Sequence, residues 1–412
     1  MGILKYFFLF FVGLFLLYIG LFKRDKFLTF KILETKCRIG LLSIIIFSLV
    51  LMFAITIKDS YDLSMYSWAY NKRLSHGKEP LFDIIQFACH DLKISFNLFK
   101  TIWCSIVVLL LINGIRKYTD SYNAVIALSI LMPFVAYVTQ MRNAMVAAIM
   151  INTFPLLFTN QWLNRVKYII IVVLCAQIHI IAYVYLIFLV INRKDRRFFS
   201  KKYYIIVGVV TMCSLLFETI PTNTILNFLQ RVHISETTIK RISGYFDGDK
   251  TSIKSVVLIL FKHLLMFILT DRACKLLSEN RFSIGKENLC TIQSGKFILK
   301  DRRCKSYVGK KMFRKKSDNV CMKISEMNIL MLLFLPISII NLSFERVFDC
   351  FMLIQFAMIF NVRNAQVGVS TFFVAKGMKM QTALLLLILV LWVITLKTNP
   401  DDLVRVYNSV SF

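Results

Sequence analysis

Apolar residues in this chain gather into long blocks instead of recurring at helix or strand period, and that grouping restricts the fold more than any other feature. The blocks are Ile3–Phe22, Ile39–Ile57, Phe99–Ile115, Ala124–Thr139, Met145–Phe158, Val166–Ile191, Tyr203–Phe217, Ser255–Thr270, Met327–Ile340, Val347–Asn361 and Gln381–Lys397. A helix crossing a ~30 Å hydrocarbon layer needs roughly 20 apolar-dominated residues. A chain of 412 residues that is 57% hydrophobic therefore has room for little else. Soluble enzymes, secreted disulfide scaffolds and disordered chains are excluded. An outer-membrane barrel is disfavoured too, because ten-residue alternating strands are missing. The chain reads as an all-α polytopic membrane protein with about 11–12 transmembrane segments, forming one integral membrane domain over its whole length.

Charge supplies the orientation. The net charge is +28, from 51 Lys and Arg against 23 Asp and Glu. Such an excess suits a nucleic-acid binder, but here it collects in short loops between apolar blocks. Basic loops face the cytoplasm. Six loops (Lys23–Arg38, Arg116–Ser121, Asn160–Lys167, Asn192–Lys202, Asp271–Ser325 and Val362–Met380) hold 34 basic and 9 acidic residues. The block Val166–Ile191 is flanked by two of them, so both of its ends belong on the same side, which a single crossing cannot achieve. The block is expected to break near His179 into two short antiparallel halves. Irregular backbone at membrane depth survives only where protein or a water-filled cavity covers it, so the break should line a cavity.

This threading puts both termini outside. The basic cluster Lys23, Arg24, Lys26 follows the first apolar run instead of preceding it, which marks a retained anchor and not a cleaved signal. Two outer segments result, 58–98 and 218–254, the first with an amphipathic interfacial helix over Asp83–Phe96. The basic 271–325 insertion reads as a nearly featureless stretch lying along the inner leaflet. The ten cysteines lie mostly in spans or inward loops, where thiols stay reduced. Neither a zinc-ligand spacing nor a nucleotide-binding motif is present, so no metal and no cofactor is expected.

An ionisable side chain at membrane depth is costly and marks a functional candidate. Arg142 stands in Thr139-Gln140-Met141-Arg142-Asn143-Ala144. It is either a snorkelling helix-end residue or a guanidinium clamp for an anion, with pairing to a carboxylate equally open. His179 sits at the expected break, as a packing residue, a proton acceptor or a phosphate partner. Arg346 opens the tenth block, where a local pair with Glu345 or a second anion clamp would explain it. The first outer segment mixes Asp59, Tyr66, Trp68, Tyr70 and Glu79. These residues make an ordinary aromatic belt or a sugar-binding surface. In the second, Arg241 and Tyr245 read first as a solvated loop.

Taken in order, these stretches resemble the EpsG/Wzy-type family of bacterial polysaccharide polymerases. The likeness rests on Asp59 to Tyr66, Glu79-Pro80-Leu81-Phe82, Arg142-Asn143-Ala144 through Ala148, the approach from Ala176 to His179, Arg241 to Tyr245, and Glu345-Arg346 to Phe351. It spans about Lys58 to Phe360. Lys58 stands alone where the family often carries Arg and Gly, and Ile180-Ile181 replaces a small residue.

The resemblance implies a GT-C-like, metal-independent glycosyltransferase in the bacterial cytoplasmic (inner) membrane. It would join lipid-linked repeat units into capsule, exopolysaccharide or O-antigen at the outer leaflet. Its substrates would be undecaprenyl-diphosphate-linked oligosaccharides, with a chain-length regulator and a flippase as partners beside the bilayer and no nucleic acid. Arg142 and Arg346 would hold the donor diphosphate. His179 would be a diphosphate partner or the base, with Asp59 and Glu79 as rival bases. Arg241, Tyr245, Tyr66 and Glu345 would bind glycan. A flippase or other transporter is the main alternative, although it would be expected to show repeated halves. An O-antigen ligase is the other.

Overall fold

The computed structural model describes residues 60–131 (except 76, 78 and 120), 139–191 (except 160), 253–283, 307–340 and 346–364. It also describes 27–32, 35–40, 290–293, 296–299 and isolated helical positions near 11–18, 44–48, 205–227 and 382–386. The expected spans Ile3–Phe22, Ile39–Ile57, Tyr203–Phe217 and Gln381–Lys397 lie mostly outside the described residues.

The described chain is predominantly helical. In order it runs α1 (Tyr61–Asn71), α2 (Pro80–Asp91), α3 (Phe96–Ile115), α4 (Tyr122–Leu131), α5 (Met141–Thr153), α6 (Trp162–Ala176), α7 (Ile253–Ser283), α8 (Tyr307–Leu332), α9 (Leu335–Ile340) and α10 (Arg346–Asn364). Two 3-10 segments, Phe154–Phe158 and Ile180–Val190, follow α5 and α6. Among the described residues two helical stretches are long and apolar enough to cross a membrane, Phe96–Ile115 and Met141–Phe158.

Beside the helices lie two short antiparallel hairpins, β1 (Phe27–Ile32) with β2 (Thr35–Gly40) and β3 (Cys290–Gln293) with β4 (Lys296–Leu299). Two expectations need correction. The 271–325 insertion is not featureless. Helix α7 runs on past its apolar stretch to Ser283, and α8 begins at Tyr307, well ahead of its own. Lys and Arg are good helix formers, so a basic run adjoining an apolar helix prolongs it. The helix expected over Asp83–Phe96 is displaced as well. It starts at Pro80, whose fixed φ and missing N–H suit a first helical turn, and ends at Asp91.

The core pair is α3 against α5. Gly114 permits their close approach: a Cβ there would collide with Cγ2 of Ile151 and come within 2.9 Å of Asn152 Nδ2. Polar side chains then tie the pair along its length. Trp103 Nε1 donates to the Met141 carbonyl at 2.8 Å, Asn152 Nδ2 to that of Leu110 at 2.7 Å, and the Tyr118 hydroxyl to that of Ile151 at 2.8 Å. Helix α10 packs on this pair and carries a run of buried side chains from Val347 to Phe360. Asn328 of α8 bridges α7 and α10: its Nδ2 donates to the Phe267 carbonyl at 3.1 Å, and its Oδ1 accepts from Gln355 Nε2 at 2.7 Å.

The expected break is present. Helix α6 ends at Ala176, and His179 adopts extended backbone (φ −154°, ψ 123°) before the 3-10 segment begins. The two halves return antiparallel. Tyr168 midway along α6 donates to the Tyr185 carbonyl at 2.8 Å, and Arg165 in its first turn donates to that of Ile191 at 3.1 Å. Rises of ~1.5 and ~2.0 Å per residue make each half about 22 Å long, short of a ~30 Å hydrocarbon core.

Candidate functional site

The break stays open because its exposed backbone groups find partners on α2. The first N–H groups of a helix and its last carbonyls have no partner within it. Here the Leu81 and Phe82 amides at the start of α2 donate to the Gln177 carbonyl at the end of α6, at 3.1 and 3.3 Å. Glu79, at the N-cap of α2, reaches the other way and accepts the Ile180 amide at 3.3 Å. One helix start thus satisfies both sides of the break.

Glu79 is also the centre of the charged cluster. Its side chain is 6% exposed, and it forms an ion pair through Oε2 with the Arg142 guanidinium. Its Oε1 lies 2.7 Å from His179 Nδ1. Arg142 in turn donates through Nε to the Tyr66 hydroxyl at 3.1 Å, and its guanidinium lies 5.0 and 5.6 Å from the Tyr66 and Phe82 ring centres. That is a stacked, partly desolvated cation, the setting in which guanidinium outperforms ammonium. Burial raises the Tyr66 phenol above its ordinary pKa, with Arg142 opposing the shift. Tyr66 therefore meets Arg142 as a neutral hydroxyl.

Arg346 joins from α10. Its Nη2 lies 3.4 Å from Asp62 Oδ2 in the first turn of α1, and both side chains keep about a third of their surface exposed. Arg142, Arg346 and Asp62 all act electrostatically on both Tyr66 and His179. Three hydrogen bonds near its start hold helix α10 in register. Tyr185 donates to the Val347 carbonyl at 3.1 Å, Asn143 Nδ2 to Asp349 Oδ2 at 3.5 Å, and Cys350 Sγ to the Ala147 carbonyl at 3.5 Å.

Each member of the cluster sits at the beginning of a helical element. Asp62 is in the first turn of α1, Glu79 is the N-cap of α2, and Arg142 is second in α5. His179 caps the 3-10 segment, and Arg346 is first in α10. Helix N-termini carry roughly half a positive charge each and present unpaired amides, so elements starting together favour an anion. The charges on Arg142 and Arg346 balance those on Glu79 and Asp62, and Asp83 and Asp349 in the first turns of α2 and α10 offset part of the positive field of those helix ends.

Of the residues singled out from sequence, Arg142, His179, Glu79 and Tyr66 meet directly, and Arg346 lies beside them through Asp62. The proposed local pairing of Arg346 with Glu345 cannot be placed, because Glu345 lies outside the described residues, as do Asp59, Arg241 and Tyr245. Asp62, Phe82 and Gln177 take parts that sequence reading did not assign. Asp62 belongs to the stretch that read as a belt or sugar-binding surface, and Phe82 to the Glu79–Phe82 stretch ahead of the expected interfacial helix. Gln177 acts through its backbone, which no side-chain pattern reveals.

The EpsG family model matches residues 39–408, nearly the whole chain. No curated protein and no solved structure matches it.

Proposed function

We propose, from the premise that the chain belongs to the EpsG family, that it is a membrane-embedded glycosyltransferase that polymerises a bacterial polysaccharide. Membership of that family carries a role in polysaccharide biosynthesis at a membrane. The growing glycan leaves undecaprenyl diphosphate and passes to the non-reducing end of a lipid-linked repeat unit at the outer leaflet of the cytoplasmic membrane. The sugar–diphosphate bond supplies the driving force, so no nucleotide is needed.

The observation that carries this reading is the meeting of Arg142, Glu79, His179 and the Arg346–Asp62 pair at the starts of their helical elements, with the Tyr66 hydroxyl on Arg142. In the transfer, an acceptor hydroxyl oxygen bonds to the anomeric carbon of the donor glycan and gives up its proton. The anomeric carbon–phosphate oxygen bond breaks, and its electron pair leaves on the diphosphate. Fixed positive charge stabilises that departing group most where it is already oriented and shielded from water. Arg142 is held in this way by Tyr66, Phe82 and Glu79, and Arg346 is the second clamp.

Purified protein in vesicles, given lipid-linked repeat units, is expected to yield a ladder of multiples of the repeat. The ladder should persist with chelator. Movement of the units across the bilayer without lengthening would assign a transporter, and transfer of glycan to a different lipid a ligase. Either result overturns the proposal.

A further inference from the structure

We infer that Glu79 is a positioning residue that holds His179 with its proton on Nδ1, so that Nε2 is the nitrogen that takes the acceptor hydroxyl's proton. The inference rests on the transfer reaction proposed above, and it separates two roles that both residues could fill from their chemistry alone.

The carboxylate of Glu79 is buried and both of its oxygens are committed. Oε2 meets the Arg142 guanidinium, while Oε1 faces His179 Nδ1 at 2.7 Å and the Ile180 amide at 3.3 Å. A guanidinium does not deprotonate in proteins, and a carboxylate paired with it is an acceptor only. Ionised by that pairing, Glu79 accepts the Ile180 N–H at Oε1 and has no proton to offer Nδ1. Nδ1 must therefore be the donor in the 2.7 Å contact. A neutral imidazole has a single N–H, which leaves the lone pair on Nε2.

Glu79 is unsuited to be the base itself. To reach an acceptor hydroxyl it would have to release Arg142, or else release both His179 and the amide that starts the 3-10 segment. His179 is not bound by those constraints at Nε2. When the acceptor oxygen bonds to the anomeric carbon, its proton passes to Nε2. The resulting imidazolium keeps its Nδ1–H on the Glu79 carboxylate, whose charge stabilises it. The diphosphate departs with the electron pair of the broken bond and afterwards receives the proton from Nε2. The groups that bear on the ring are Glu79 from α2, Arg142 from α5, Asp62 from α1 and Arg346 from α10. A carboxylate that fixes the tautomer of a histidine base, while separate groups stabilise the developing negative charge, is a division of labour known from hydrolytic triads.

Two measurements test it. Nitrogen-15 spectra of the full-length, histidine-labelled protein in nanodiscs, with His179 assigned by its loss in H179Q, are expected to show Nδ1 protonated and Nε2 bare. The reverse tautomer would overturn the inference, whatever any variant does. In E79Q the single remaining oxygen is drawn to Arg142, so the amide nitrogen faces Nδ1 as a donor and the ring should switch to the Nε2–H form. With lipid-linked repeat units as substrate, kcat should fall about 10- to 100-fold while KM for the donor does not rise. An unchanged kcat in correctly folded E79Q also overturns it. If E79Q fails to fold, the tautomer of the unaltered protein decides alone. If the unaltered protein makes no ladder, the proposed reaction fails, a result distinct from either of these.

Discussion

Arg142 is surrounded by partners that suit a planar guanidinium and not an ammonium: a hydroxyl on Nε, a carboxylate on a terminal nitrogen and two aromatic faces. Arg142→Lys keeps the charge and loses the fork. Ladder formation should drop by about 10²-fold or more, with membrane insertion unchanged. Full-length polymer from that variant would remove Arg142 from the site. Tyr66→Phe keeps the ring and deletes only the hydrogen bond to Nε, worth about 1.5–3 kcal/mol because its donor is charged, so a fall of roughly 10- to 100-fold in kcat is expected. Burial holds the phenol above its usual pKa, so Tyr66 stays uncharged from neutral to mildly alkaline pH, and the deficit of Tyr66→Phe relative to the unaltered protein should be the same across that range. A deficit that changes with alkalinity would mean Tyr66 titrates there. Arg142, His179 and Arg346 were legible in the sequence because apolar blocks make any ionisable group conspicuous. Asp62 was not legible as the partner of Arg346: the two stand 284 residues apart, and no periodicity reports a contact of that range.

Among the elements, what the sequence could reveal depended on whether the signal was local. The break at His179 was inferred from basic flanks that a single crossing could not reconcile, and the backbone does open there. Nothing local announces it, since the segment contains neither Gly nor Pro. Its partner is the start of α2, about a hundred residues earlier, joined through the Gln177 carbonyl and the Glu79 side chain. The hairpins of 27–40 and 290–299 escaped notice because four- to six-residue strands inside charged loops produce no apolar block. Packing between elements can be tested at Gly114. Gly114→Ala adds a methyl where Ile151 stands, and overpacking of this kind costs about 1–3 kcal/mol. Lower thermal stability in detergent is expected, along with reduced polymerisation, because α5 carries Arg142. Unaltered stability would mean that α3 and α5 do not approach as described. Asn328→Leu breaks the bridge among α7, α8 and α10. Hydrogen bonds between helices in membranes contribute about 0.6 kcal/mol on average, so its effect should be the smaller of the two.

For the whole molecule, the charge pattern and the fold make the same demand at one point, that the residues before α6 and after the 3-10 segment lie on the same face. The Arg165 side chain reaching the Ile191 carbonyl brings those ends together. Single cysteines at Gln161 and Val190, in a chain whose ten native cysteines have been replaced, should therefore react with an impermeant thiol reagent from the same side of sealed vesicles. Labelling from opposite sides would make the segment an ordinary crossing, and His179 would lose the opening that brings it to Glu79. Orientation then determines what the cell accumulates when the protein is removed. With the charged helix starts facing outward, as proposed, the polymerase acts after its substrate has crossed the membrane. Its loss should leave single lipid-linked repeat units that glycan-cleaving enzymes added outside can reach. A transporter acts before that crossing, and its loss leaves the same units protected inside. The family relationship does not itself separate these two placements, whereas the accessibility of the accumulated lipid does. Protected units would require Arg142, Arg346 and the ring of His179 to serve passage through the membrane instead of the departure of a diphosphate.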